Sequence, residues 1–299
     1  MRRSRYQPTT LDALILLLTA ALCLYLTWWF RGGVRYTWHW EIIPQYFLRH
    51  DPAANRWVPN LLLQGFINTV KISIWATVIA TILGTGLGIV RASPTLLSRL
   101  IGRTYVELVR NIPPLVLIFI FYFFIGDQIM ALVGIDDTIR SGPPMIASVV
   151  SALFTSPEHL NTFLAGLVTL VVYEGAYITE IVRAGIESIE REQWDAAKAL
   201  GFTQGQMMRH VILPQALARS LPPLAGQLVS TIKDSAIVSV ISIQELTFQG
   251  MELMSATYLT FEIWITITAL YFILTFGCSL GVRRLEIMLH RHGTSYHPA

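Results

Sequence analysis

Six stretches of this chain run for roughly twenty residues with scarcely a charge, and no other property limits its possible folds so severely. They cover approximately Ala13 to Phe30, Ile67 to Val90, Tyr105 to Ile125, Thr162 to Val182, Leu221 to Ile243 and Phe261 to Val282. About 20 helical residues cross a hydrocarbon layer about 30 Å thick, and inside lipid every backbone N–H and C=O needs a partner within the segment. The expected fold is therefore all-α, a polytopic membrane protein with about six transmembrane helices. Composition agrees: with 53% hydrophobic and 14% charged residues, a soluble domain of 299 residues could not hide its apolar surface from water. A further apolar piece, Met145 to Phe154, follows Pro143-Pro144 and is too short to cross; it reads as an interfacial or re-entrant helix.

Arg2, Arg3 and Arg5 precede the first run, as in a secretory signal peptide. The run is longer than a usual signal core and ends in Trp28, Trp29 and Phe30 without a small-residue cleavage site, so a retained helix is expected. If the amino terminus is cytoplasmic, the inner segments hold most of the Arg and Lys, including Arg91, Arg99, Arg103, Arg183, Arg191, Lys198, Arg209, Arg219, Arg283, Arg284 and Arg291. The outer segments hold Arg31, Arg35, Arg49, Arg56 and Arg140. The positive-inside rule then puts both termini in the cytoplasm, with the Arg-bearing first outer loop as the dissenting segment. Trp38, Trp40 and Trp57 in that loop suggest that it lies along the outer headgroups.

Several function classes are excluded. The net charge of +3 comes from scattered arginines, which offers nucleic acid no basic face. Cys23 and Cys278 lie in separate apolar runs with no metal-ligand spacing. There is no G-x-x-x-x-G-K-[ST] loop for nucleotide phosphates, no HExxH and no G-x-S-x-G. No catalytic residue and no cofactor is expected in this chain.

Charges within apolar runs point to cavities or partners, because each costs about 2.5 to 3.5 kcal/mol near the bilayer centre. Glu174 lies in the fourth run and Lys233 and Asp234 in the fifth. Lys233 and Asp234 point about 100° apart on a helix, so they face different neighbours and one of them could meet Glu174. They are candidates for a translocation path that contacts a charged solute, or for a structural pair between helices. Glu107 with Arg110, and Glu180 with Arg183, are spaced for ion pairs on one helix face. Pro113 and Pro114 should break the third run near its inner end, and Pro222-Pro223 should open the fifth, where proline does least harm. Gly84, Gly86 and Gly88 give the second run a small-residue face for close helix packing.

Between the fourth and fifth runs lies the polar stretch WDAAKALGFTQGQMMRHVILPQA. Trp194, Ala197 and Leu200 share one side of a short helix, with Asp195, Lys198 and Arg191 on others. Gly201 stands where a helix ends in a left-handed residue. Thr203 and Gln206 form a capping box, Met207 and Met208 begin the apolar side of a second helix, and Pro214 should stop it. Amphipathic pieces of this kind can also lie on the bilayer surface.

Asp195-Ala196-Ala197, Gly201 and Ile212-Leu213-Pro214 resemble the EAA signature of the permease subunits of binding-protein-dependent ABC importers, with Asp for the usual Glu. Arg110-Asn111-Ile112-Pro113, the run Ala176 to Ile186 and the run Lys233 to Ile241 resemble the polar amino acid permeases within that family. The resemblance covers roughly residues 60–289, leaving 1–59 as an extra helix with its outer loop and 290–299 as a cytoplasmic tail. It implies a coupling helix-turn-helix gripped by ABC ATPase subunits that hold ATP and Mg, with Trp194, Asp195, Ala196, Ala197, Gly201, Met207, Met208, Leu213 and Pro214 at the coupling site. It further implies an extracytoplasmic amino acid-binding protein, a second permease subunit, surrounding membrane lipid, a bacterial inner-membrane location and alternating access. Glu174, Lys233, Asp234 and Pro113 are the expected path residues. Two positions depart from the pattern: Leu117 stands where a Gln is common, and Glu174 where a neutral residue is. The rival reading is an ion-coupled secondary transporter or channel for small polar solutes.

Overall fold

The computed structural model describes residues 10–33, 36–52, 55–126 and 143–293. The amino-terminal arginines, Arg35, Arg140 and the residues after Gly293 lie outside that set. Contacts divide the chain into two units, Met1–Glu41 and Ile42–Ala299. In the first unit, α1 (Thr10–Gly33) carries the first apolar run, and Trp38 stacks on Trp40 at 5.7 Å.

A 3-10 turn, Trp40–Tyr46, begins in the first unit and ends in the second, where a hairpin of β1 (Leu48–Asp51) and β2 (Arg56–Pro59) follows. The helices follow: α2 (Leu61–Arg91), α3 (Leu96–Asn111), α4 (Pro114–Ile120), α5 (Pro144–Leu153), α6 (Leu160–Glu187), α7 (Arg191–Ala199), α8 (Gln204–Met207), α9 (Leu213–Asp234), α10 (Leu246–Thr257) and α11 (Thr260–Gly293). Among the described residues four helical stretches are long and apolar enough to cross a membrane, α2, α6, α8 to α9 with its 3-10 extension, and α11. A fifth crossing results if α3 and α4 are counted as one span.

Pro113 and Pro114 break the third apolar run as the sequence predicts: α3 and α4 meet at 108°, because Pro114 cannot donate to the ladder and Ile112 before Pro113 is pushed to extended backbone. Two expectations are corrected here. Pro214 does not stop the second short helix. A π-helical turn, Met208–Ile212, carries α8 straight into α9, and the widened turn accommodates the ring that an α-helix would reject. In consequence Pro222 and Pro223 sit inside α9, not at its start.

Packing centres on α2 against α6. A Cβ on Gly84 would stand 2.6 Å from Ile178, and one on Gly88 2.8 Å from Val182, so the two backbones approach where no side chain intervenes. Rising numbers meet rising numbers, which makes α2 and α6 parallel, with Ile72, Phe163 and Leu167 continuing the seam. Gly86 meets nothing and is not part of the packing face. On the far side of α6, α9 runs antiparallel, with Ser220 against Gly185 and Gln227 against Glu174.

Within the second unit, the segment that precedes α2 packs against α10 and α11. Ile43, Tyr46 and Phe47 pack with Leu246, Leu253 and Ile263, and Asn60 Nδ2 donates to Gln45 O at 2.7 Å. Below it, Glu245 is fully buried at the start of α10. Its carboxylate accepts from the N–H groups of Thr247 at 2.9 Å and Phe248 at 2.8 Å and from Tyr271 Oη at 2.7 Å, while Thr69 Oγ1 accepts from Leu246 N–H at 3.0 Å. Burial outweighs these donors and pushes the Glu245 carboxyl up to about 7.

A raised carboxyl pKa stabilises the fold fully below the ordinary value and loses that contribution as pH rises through about 7. The wild-type protein should therefore lose as much as about 3 kcal/mol of stability between pH 4.5 and 7.5 from this group. Glu245→Gln, which keeps an acceptor for the cap, should flatten the dependence of Tm on pH in that window. Equal slopes for the two proteins would refute the assignment.

Candidate functional site

Two places in the second unit bring polar groups together for a purpose that packing alone does not supply. The first lies midway along α6. Glu174 is fully buried there, and Gln227 Nε2 on α9 donates to its Oε2 at 2.6 Å. Thr231 and Asp234 follow Gln227 on the same face of α9, at the spacing of helical turns, and both interact with Glu174. The other oxygen, Oε1, is buried without a hydrogen-bond partner. Lys233 is exposed, on another side of α9, and forms no ion pair with Glu174. Of the two candidates on α9 it is thus Asp234 that faces Glu174, so a pair of carboxyl groups meets there where a salt bridge was one expectation. Such a pair has capacity for one cationic group or a shared proton.

Beside it, Tyr173 and Tyr177 pack edge to face with their hydroxyls 3.1 Å apart, and the Arg110 guanidinium lies 5.1 Å from the Tyr177 ring centre. That placement answers the expected Glu107–Arg110 pair, which does not form. Glu107 turns instead to Arg103 at 3.8 Å and accepts from Asn111 Nδ2 at 3.1 Å. Pro113 is exposed at the 108° break that aims α3 and Arg110 toward Tyr177. Leu117 is buried with Val109 against Ala176, filling with hydrocarbon the position where a polar side chain was considered.

Toward the carboxyl end of α6, Glu180 binds Arg183 as the spacing predicts, and also Arg91 from α2, while Arg183 reaches Glu187. Arg91 is a member that sequence reasoning placed among inner-loop cations without a partner. Its position at the last residue of α2, with an acidic residue toward the same end of the parallel helix α6, is the signal that could have found it.

The second place is the polar stretch between α6 and α9. Gly201 has φ +79°, a left-handed conformation that a side chain disfavours by about 1 kcal/mol or more, and it lets α7 turn back into α8. Thr203 and Gln206 form the capping box in both directions, with Thr203 N–H donating to Gln206 Oε1 at 2.9 Å. Gln215 Nε2 reaches Gln193 Oε1 at 3.2 Å, and Arg219 holds Ser188 O and Glu190.

Burial sorts the residues of this stretch. Ala197 and Met207 are buried, and Trp194, Met208 and Leu213 are half-buried, all against Ile178, Val182 and Ile186 of α6 and Ala216 of α9. These five face their own chain, so the outward surface is made by Asp195, Ala196, Gly201 and Pro214. Leu200, 75% exposed, and Phe202 join them at the elbow. Leu200 was expected on the face of Trp194 and Ala197. It stands instead at the C-cap of α7, one residue past the end of the helix, and is exposed there.

With this geometry in hand, comparison with known proteins is informative. Residues 76–286 match the model of the family described as binding-protein-dependent transport system inner membrane component. The chain is 32% identical to the probable glutamine ABC transporter permease protein GlnM of Bacillus subtilis, over 78% of this chain and 94% of that protein. It is 30% identical to the glutamate/aspartate import permease protein GltJ of Escherichia coli, over 78% of this chain and 87% of that one. The crystal structure of an amino acid ABC transporter with histidines is similar with a TM-score of 0.63 at 29% identity, covering 85% of this chain and 100% of that chain. A chain of the inward-facing MetNI methionine ABC transporter, 19% identical, shares the fold at a TM-score of 0.59.

Burial predicts how substitutions in the helix-turn-helix should differ. Ala197→Phe overfills the space beneath α7 and should destabilise the protein by about 1 to 3 kcal/mol. Leu200→Ala, three residues away on the exposed elbow, should stay within about 0.5 kcal/mol of wild type. Thermal unfolding in detergent reads both, and equal effects would contradict the inward placement of Ala197.

Proposed function

The chain belongs to the family of binding-protein-dependent transport system inner membrane components, and on that premise we propose how this permease subunit of an amino acid ABC importer works. It is a multi-pass inner-membrane transport subunit for polar amino acids, and the enzymatic step belongs to other subunits. The reading proposed is that two ATPase subunits, carrying ATP and Mg, grip the α7–α8 elbow from the cytoplasm. A second permease subunit, either a copy of this chain or a sister, completes the membrane part. An extracytoplasmic binding protein delivers the amino acid, and both termini of this chain lie in the cytoplasm.

The observation that carries this reading is the division of labour within the helix-turn-helix. Its base is locked to α6 and α9 through Ala197, Met207 and Ile212, and its tip presents Leu200, Gly201 and Phe202 outward. An apolar knob on a braced base suits docking in a partner's cleft, where a few well-packed anchors supply most of the binding energy. The brace also transmits motion. A displacement of the elbow reaches α9 without slack, since the helical backbone is unbroken from Gln204 through Ile241. α9 carries Gln227, Thr231 and Asp234, so movement at the elbow alters their relation to Glu174 on α6 and with it the access of the polar site to either side.

At that site Glu174 and Asp234 are assigned to the ammonium group of the amino acid, whose positive charge compensates two carboxyl groups held together in a low dielectric. The Arg110 guanidinium above Tyr177 is placed to attract the carboxylate end. Lys233, facing elsewhere, is assigned no contact with the solute, and Pro113 contributes by setting the break that positions Arg110.

Two experiments bear on the separate halves of this mechanism. Gly201→Asp puts a charged side chain at a left-handed residue of the elbow, and should leave the protein inserted while abolishing binding-protein-stimulated ATP hydrolysis by the assembled complex. Wild-type stimulation in that variant would refute the coupling role. For the path, Glu174→Gln should lower uptake into proteoliposomes by at least about tenfold, as expected for loss of a charge-assisted contact, whereas Lys233→Met should leave uptake near wild type. Normal uptake and unchanged selectivity in Glu174→Gln would remove that residue from the path.

A further inference from the structure

The charges at the two ends of the apolar part of α2 are spaced like a bilayer. The helical stretch from Lys71 to Arg91 rises about 30 Å, the thickness of the hydrocarbon layer. Arg91 is secured by Glu180 at one margin. Between the margins Ile74, Val78 and Ile82 are 53%, 46% and 70% exposed, and the spacing 71, 74, 78, 82 places all three on one stripe directly below Lys71. An apolar stripe of this length headed by a cation has the form of a lipid contact.

Lys71 itself is incompletely used. Its Nζ donates to Ser151 O at 2.7 Å, capping the end of α5, and the remaining ammonium donors have no acceptor among the described residues. It lines an open polar cleft of about 410 Å3 with Arg49, Gln64, Asn68, Ser151 and Ser156. Arg49 reaches this cleft from β1, is exposed, and makes no ion pair among the described residues. Asp51, the carboxylate in the same lining, has an interaction of its own. Ile67 and Val58 supply apolar wall where the cleft meets the head of the stripe. Two aromatic residues mark the same level: Trp57 on β2, 67% exposed, and Trp75, whose Nε1 donates to Leu153 O at 3.0 Å.

We propose that the cleft between the hairpin, α2 and α5 binds the phosphate of one anionic phospholipid of the outer leaflet. Arg49 and Lys71 hold the phosphate, and an acyl chain lies along Ile74, Val78 and Ile82. A free anion would use the two cations but not the stripe, and a neutral lipid would use the stripe but not the cations. An anionic amphiphile uses both. The hairpin thereby gains a role: it carries the second cation to a headgroup that α2 alone would meet with one.

The site can be tested on the complete transport complex by native mass spectrometry in detergent, adding phosphatidylglycerol, phosphatidylethanolamine or inorganic phosphate. Phosphatidylglycerol should be retained in preference to phosphatidylethanolamine, millimolar inorganic phosphate should not displace it, and Arg49→Gln and Lys71→Gln should each weaken retention by roughly fivefold. Arg49 is exposed and unpaired, so its variant should keep the wild-type Tm and remains decisive even if loss of the α5 cap unsettles the Lys71 variant. Unchanged retention in Arg49→Gln overturns the site. Displacement by inorganic phosphate would mean that a free anion, not a lipid, occupies the cleft, and would overturn the proposal equally.

Discussion

The direct approach of the α2 backbone to that of α6 governs the rest of the molecule. Lipid offers no hydrophobic drive for two apolar helices to associate, so close contact between backbones, with Gly84 under Ile178 and Gly88 under Val182, must supply the attraction through dense packing. Two parallel spans held this tightly fix everything around them. Arg91 meets Glu180 because their helices are already in register, and Thr69 meets Leu246 and Glu245 at the other end of the same seam. With one flank of α6 closed by α2, the other is left for α9, and that is the flank on which Glu174 lies.

From this arrangement follows a single mechanical line. The α7–α8 elbow is clamped to α6 and α9 by small and flexible residues, Ala197 and Met207, which fill the space beneath it without polar atoms. The π turn then passes Pro214 without a break in the helical run. A kink there would have absorbed motion. Its absence joins the exposed elbow at Leu200 to the carboxyl pair at Glu174 and Asp234 through one continuous helical run. The 108° bend between α3 and α4 works in the opposite sense, since it separates the part of that run that carries Arg110 from α4.

Much of this was legible residue by residue. The capping box at Thr203 and Gln206, the left-handed Gly201, the Glu180–Arg183 pair and the short helix after Pro143 all depend on neighbours within four positions, and they stand where the spacing put them. The divergence of Lys233 and Asp234 was equally a matter of helix geometry. Which of the two would meet Glu174 was not, and neither was the partner of Glu107, which had acidic-to-basic spacing to Arg103 as well as to Arg110. Local spacing states what can pair, and tertiary packing selects among the possibilities. The hairpin at Leu48–Pro59 escaped notice for a related reason: two strands of four residues have little stability of their own, and this pair is held by Ile43, Phe47 and Asn60 against the rest of the unit.

By itself the sequence determined that the chain crosses a membrane, roughly where, and that a helix-turn-helix interrupts the crossings, because hydropathy, proline and glycine act through the solvent and the local backbone. Tertiary structure alone decided the inward burial of Ala197 and Met207, the exposure of Leu200, the passage of the helix through Pro214 and the meeting of Glu174 with Asp234. Those outcomes depend on which surfaces are already occupied when two helices come together, and that is a property of the packed chain that no interval along it encodes.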